Sequence, residues 1–306
     1  MGPFILRRLL DAGGVLLGVS FLTFALLFLT GDPTFMLVPE NYTREQIAEF
    51  RHQAGLDRPW YVQYGVFLHR AVTGDFGHSL RSQLPAMPLV LERLPATFEL
   101  ACAAMMLSLA VTIPVGILAA THRRSLIDLA SMAAGLLGQS TPTFWIGLIL
   151  ISVFGVNLRW LPISGRGTLL HLVLPTVSLA LYTMGRNARV VRSAVLDVLG
   201  QDFIRTAHAK GVSPQGVLLR HTLRNALLPI VTLVGLDFGV LLGGAIITET
   251  VFAWPGIGRL VVNAVYQRDF PVVEAAVLTI AAMFVVLNLG IDLLYGYLDP
   301  RIRLRG

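Results

Sequence analysis

Residues 226–248 read ALLPIVTLVGLDFGVLLGGAIIT, 23 positions with one charged side chain, Asp237. At about 1.5 Å per residue, a helix of this length crosses the roughly 30 Å of hydrocarbon in a bilayer. The same character extends outward through the chain. Of 306 residues 55% are hydrophobic and 14% charged, against about 25% charged in ordinary globular chains. The expectation is an all-α, polytopic membrane protein with six transmembrane helices. They fall at roughly Ala12–Thr30, Pro95–Ala120, Leu129–Val156, Leu169–Met184, Ala226–Thr248 and Val272–Tyr295. The fourth is short and interrupted by Pro175. The first follows Arg7 and Arg8 as a signal peptide would. Its apolar run nevertheless ends in Gly31-Asp-Pro33 without a small-residue cleavage site, and it reads as an uncleaved anchor.

Several chemistries are excluded by composition. One cysteine, Cys102, leaves no disulfide framework and no cysteine zinc site, and it reads as a small packing residue. The single lysine, Lys210, is followed by Gly211 and Val212, so no Walker-type phosphate loop exists. The seven histidines show no metal-binding spacing, and no nucleophile elbow occurs. Net charge +6 is explained by topology. With the N-terminus inside, internal segments carry 14 of the 24 basic residues, and the short external loops carry four. Both termini are therefore expected on the cytoplasmic side of the membrane. The charge gives no call for nucleic acid.

Two long segments leave the membrane. In the external one, residues 31–94, Thr43-Arg-Glu-Gln46 fits a capping box. Gly55 suits a helix stop, and Asp57-Arg-Pro59 suits a second start with proline in the first turn. Trp60, Tyr64, Phe67 and Ala71 then make one apolar helix face. That face is either a docking surface for an external partner or a lid packed on the outer ends of the spans. In the internal segment, Gln201–Ala209 is predicted helical, Gly211 stops it, and Ser213-Pro214 is an N-cap followed by an N1 proline. A second helix then carries Leu219, Leu223 and Ala226 on one face. This basic helix pair suits the grip of a cytoplasmic partner, or packing on anionic headgroups.

These residues also carry a resemblance. Arg205-Thr-Ala-His-Ala-Lys-Gly211 followed by Arg220-His-Thr-Leu-Arg-Asn-Ala-Leu-Leu-Pro229 resembles the EAA loop of ABC importer permeases, nearest the dipeptide/oligopeptide/nickel group. Gly31-Asp-Pro33, Gly55-Leu-Asp-Arg-Pro59, Gly74-Asp-Phe-Gly77, Leu94-Pro-Ala-Thr97, Phe252-Ala-Trp-Pro-Gly256, Arg268-Asp-Phe-Pro271 and Leu298-Asp-Pro-Arg301 follow the same group in order. The resemblance implies the first permease of such a pair, with a type I importer transmembrane domain. Its expected domains are 1–94 (anchor helix and extracytoplasmic segment), 95–296 (core, with a coupling loop at about 192–225) and 297–306 (cytoplasmic tail). Its implied partners are a second permease, two cytoplasmic ATPases holding ATP and Mg, and an external substrate-binding protein. This chain is then non-catalytic and binds no cofactor. Arg205, Thr206, Ala207, His208, Lys210, Gly211, Ser213 and Pro214 become the ATPase-coupling residues, with Arg205 standing where the family's usual glutamate would be. The cargo is peptide, with glutathione or chelated nickel as alternatives.

Within the spans, Asp237 is the sharpest signal, because a charge near mid-bilayer must face protein or water. Two readings stay open: a path-lining carboxylate that meets cationic cargo, or a helix–helix hydrogen bond. Gly235, Gly239 and Gly243 form a small-residue face for close helix packing. Ser140, Thr141 and Pro142 break the third span and are candidates for the pathway. Glu99, Glu249, Glu274 and Asp292 are expected to pair at span ends, and Asn288 shares a helix face with Asp292. A secondary transporter using Asp237 for proton coupling, or an intramembrane hydrolase using Asp237 and Asp292, would be the readings from other classes.

Overall fold

The computed structural model describes residues 2–29, 43, 45, 46, 49, 52 and 57–298. The readings placed on Gly31-Asp-Pro33, on Gly55, on residues 299–306 and on the Asp292 side chain lie outside the described residues. In chain order the helices of eight or more residues are α1 (Gly2–Leu29), α2 (Trp60–Thr73), α3 (Ala86–Thr121), α4 (Leu126–Ser140), α5 (Thr143–Leu150), α6 (Leu169–Leu199), α7 (Asp202–Ala209), α8 (Leu223–Val251), α9 (Ile257–Gln267) and α10 (Phe270–Leu298), with a single helical turn at Pro214–Gly216. Two wide π-helical stretches continue this pattern, Ile151–Asn157 after α5 and Val217–Thr222 before α8.

Among the described residues, five stretches are long and apolar enough to cross a membrane: Leu6–Leu26, Ala86–Thr121, Leu169–Leu199, Pro229–Val251 and Phe270–Ile291. The sixth is a pair, Leu126–Ser140 and Thr143–Asn157, bent by 100°. Counted as one broken span it completes the expected six, with the break falling at Ser140-Thr-Pro142, where the sequence places it. The fourth span also differs from expectation, running 31 residues where sixteen were foreseen. Beyond Met184 the apolar pattern is diluted by Arg186, Arg189 and Arg192, which hides the helix from a hydropathy reading. Its buried face nevertheless continues through Ala188, Val191, Ala194, Val195 and Val198 at helical spacing.

The chain divides into two compact units, residues 1–95 with 259–306 and residues 96–258. In the first, α1 packs along α10 and α2. Tyr64 and Phe67 lie against Phe24, with ring centroids 5.4 and 5.8 Å away, and the Tyr64 hydroxyl sits 2.9 Å from Ser20 Oγ. This part of the α2 face packs on α1, while Trp60 stays 60% exposed. The capping box forms: Gln46 Oε1 accepts from the Thr43 amide at 2.8 Å, and Thr43 Oγ1 accepts from the Gln46 amide at 3.3 Å. The next start differs from expectation. Pro59 occupies the N-cap, and Asp57 instead pairs with His52 at 2.7 Å. Further on, Ser79 Oγ donates to Asp269 at 2.5 Å and the Leu80 amide donates to it at 3.0 Å. The turn that follows Gly74-Asp-Phe-Gly77 is thereby clasped to the Arg268-Asp-Phe-Pro271 motif.

In the second unit α6 is central and packs on α4, α5 and α8. The closest approach is between Gly135 of α4 and Gly185 of α6: a Cβ at 185 would lie 2.0 Å from the Gly135 carbonyl oxygen. A second clasp closes the end of α8. Thr97 Oγ1 donates to Glu249 at 2.7 Å and accepts from the Ile257 amide at 2.8 Å. Trp254, 1% exposed, donates to the Ala96 carbonyl at 2.8 Å. Glu249 is therefore buried inside the Phe252-Ala-Trp-Pro-Gly256 turn, where the sequence suggested a pair at the span end. Glu99 does pair at a span end, with Arg166 at 2.6 Å.

Candidate functional site

Three features of the second unit are candidates for function. The first is the segment joining α6 to α8. Asp202 in the first turn of α7 suits the positive end of the helix dipole. Ile204 and Ala207, three residues apart, bury one face, while Arg205, Thr206, His208 and Lys210 are exposed on the other. Gly211 ends the helix at φ 78°, a left-handed conformation that glycine adopts without strain. Ser213 Oγ then accepts from the Gly216 amide at 3.2 Å, with Pro214 at N1, as its sequence predicts. The following helix corrects one expectation. Between Val217 and Thr222 the chain winds as a π-helix, and Thr222 Oγ1 donates to the Val217 carbonyl at 3.1 Å. The wider turn rotates the buried face to Val217, Thr222 and Ala226, and Leu219 is left 65% exposed. Ile204, Ala207 and Val217 join one apolar cluster with Ala120, Val191, Val198 and Ile230. The joint is thus welded to the ends of α3, α6 and α8, and its basic outer face is free. Arg205 has a single exposed neighbour of opposite charge, Asp202 at 3.5 Å.

The second feature is the break between α4 and α5. Proline at 142 cannot donate to the preceding turn, and the Thr141 hydroxyl donates to the Leu137 carbonyl at 2.7 Å. Ser178 Oγ of α6 donates to the Thr143 carbonyl at 3.0 Å, fixing the start of α5. Ser140, Thr141 and Pro142, with Gln139, Tyr182 and Ile247, border an open cleft of about 340 Å³.

The third feature surrounds Asp237, which is 0% exposed. Arg186 donates to its Oδ1 and Asn187 to its Oδ2, both from α6. Asn187 Nδ2 also reaches Ser108 Oγ at 3.4 Å, and Thr183 donates to the same hydroxyl at 3.0 Å. Asp237 thus links α8 to α6 through both of its carboxylate oxygens. Arg186 escaped the sequence reading because residues beyond 184 were placed outside the membrane; the signal available was one arginine matching one buried acid. Two more arginines follow on α6. Arg189 donates to Gln139, and Arg192 makes a two-pronged pair with Asp128 at 2.6 and 2.7 Å. The glycine face of α8 is unevenly covered within this chain. Gly235 is buried, but Gly243 is exposed with nothing within 4 Å of an added Cβ.

Comparison with known proteins bears on the family and the fold. The family described as "binding-protein-dependent transport system inner membrane component" matches residues 112–304, and its N-terminal companion matches residues 1–101. The dipeptide transport system permease protein of Alkalihalophilus pseudofirmus is 39% identical, with 99% of this chain and 100% of that protein covered. The oligopeptide transport system permease protein of Bacillus subtilis is 41% identical, with 99% of each covered. A solved inward-facing methionine ABC transporter superposes with a TM-score of 0.60 over 70% of this chain and 97% of that one, at 19% identity, which speaks for the fold.

Proposed function

The chain belongs to the binding-protein-dependent transport system inner membrane component family, and from that premise we propose that it is the first of two permease subunits in an ATP-driven peptide importer. The observation that carries this reading is the end-to-end match to relatives named for dipeptide and oligopeptide transport. A second permease completes the pathway, and an external binding protein delivers cargo to it. Two cytoplasmic ATPases hold ATP and Mg, and this chain holds neither. Both termini lie in the cytoplasm.

The geometry supports a division of labour within the chain. Arg205, Thr206, Ala207, His208, Lys210, Gly211, Ser213 and Pro214 meet an ATPase. The inner face of that joint is buried with residues of α3, α6 and α8. Displacement of the joint therefore moves three span ends as one body. ATP and loaded binding protein must favour different conformations of the spans for that motion to carry work. Ser140, Thr141 and Pro142 contribute to the pathway, in keeping with the cleft that they border.

Extraction in mild detergent through a C-terminal tag should recover a second permease and two ATPases, and the recovered complex should accumulate dipeptide in liposomes only with ATP. A lone chain that moves solute without ATP would overturn the reading.

A further inference from the structure

We propose that Arg186 binds the carboxylate of the cargo during passage; this rests on the peptide-import reading and narrows it. Asp237 is the middle residue of Leu223–Val251, and Arg186 lies two residues past the middle of Leu169–Leu199. A guanidinium at such depth is costly against lipid, so it faces protein or water. The two charges of the pair are not equally accessible. The Asp237 side chain is 0% exposed and that of Arg186 is 37% exposed. Both Asp237 oxygens are taken, one by Arg186 and one by Asn187. The acid thus backs and aims the guanidinium, and the group left facing outward is a donor.

Only Nη2 of Arg186 is committed to Asp237, and its other N–H groups have no acceptor among the described residues. A planar fork with free donors matches a carboxylate in two-pronged geometry. Arg186 does not itself border the open cleft, but its neighbours along α6 meet that cleft. Tyr182, one turn before Arg186 on α6, borders the cleft, and Arg189, one turn after, is bonded to Gln139, which borders it too. No acidic side chain lines that cleft. One of the two sequence readings had the opposite sign, an Asp237 carboxylate meeting a cargo amine. The geometry instead offers a cation to the cargo's acid end.

The test uses the complete importer in liposomes, with alanylalanine and its C-terminal amide each presented on the binding protein at equal measured occupancy. The wild-type complex should take up the acid at least tenfold faster than the amide. R186K keeps the charge that Asp237 requires but loses the fork, and should lower the acid-to-amide ratio. R186Q/D237N leaves a neutral hydrogen-bonded pair and should bring acid uptake down to the amide rate. A wild-type ratio near one, a ratio unchanged in R186K, or full acid uptake in R186Q/D237N overturns the proposal and leaves Arg186 a purely structural partner of Asp237. Should the wild-type complex import neither form, the peptide reading fails. The R186K ratio is then measured with the acid and amide of whichever carboxylate cargo the complex does carry.

Discussion

Glycine at 185 is what permits α4 and α6 to cross. A methyl group there would lie 2.0 Å from the Gly135 carbonyl oxygen, and backbone cannot swing aside as a flexible side chain can. Gly185→Ala should therefore destabilise the chain by about 1–3 kcal/mol or more, the usual cost of overpacking, seen as a lower Tm in detergent. Gly243→Ala, with nothing within 4 Å, should leave the Tm of the isolated chain unchanged. Thr97 gives a second single-residue prediction, because it both donates to buried Glu249 and accepts from the Ile257 amide. Thr97→Val removes a donor from Glu249 and the acceptor of the Ile257 amide and should cost about 1–3 kcal/mol, whereas Thr97→Ser should retain most of the stability. Outside the membrane, the His52–Asp57 hydrogen bond raises the histidine above its usual titration range and lowers the aspartate below its own. The pair is complete between those two limits: it is lost as pH rises through the raised histidine value, or falls through the lowered aspartate one. Asp57→Asn should return the His52 titration to the ordinary range by NMR.

At the scale of the element, the joint after α6 makes a sharper claim than its exposed charges do. Ile204 and Ala207 anchor α7 to the span ends. Ile204→Ala should loosen that attachment, so that the complex still hydrolyses ATP but transports roughly tenfold less per ATP, about 1.4 kcal/mol of lost coupling. Much of this element was legible beforehand. Gly211 and Ser213-Pro214 are local signals that need nothing but backbone chemistry, and the structure has them as turn and cap. The face of the next helix was not legible. The π-helical winding at Val217–Thr222 shifts every later side chain, and no local residue type announces it. Likewise the break at Ser140-Thr-Pro142 was readable from proline, but its 100° angle is set by packing against α6. The pairing of Arg186 with Asp237 depends on which helices become neighbours, and that information is tertiary.

For the whole molecule, topology is the prediction that everything else assumes. In a Cys102→Ala background, a cysteine at Ser164 should react with a membrane-impermeant maleimide in intact cells, and one at Lys210 should react only after lysis. The reverse pattern would invert the chain and put the basic joint out of reach of any ATPase. The Gly135–Gly185 crossing has a mechanical consequence for this arrangement. It pins α6 close to its midpoint, with fourteen residues running from Gly185 to the joint and sixteen to the opposite end. At about 1.5 Å per residue these are arms of roughly 21 and 24 Å on either side of one fulcrum. A rod balanced in this way returns any tilt imposed at one end as a nearly equal and opposite swing at the other. Opening on one side of the membrane and closing on the other need not be two events; around such a pivot they are the same rotation.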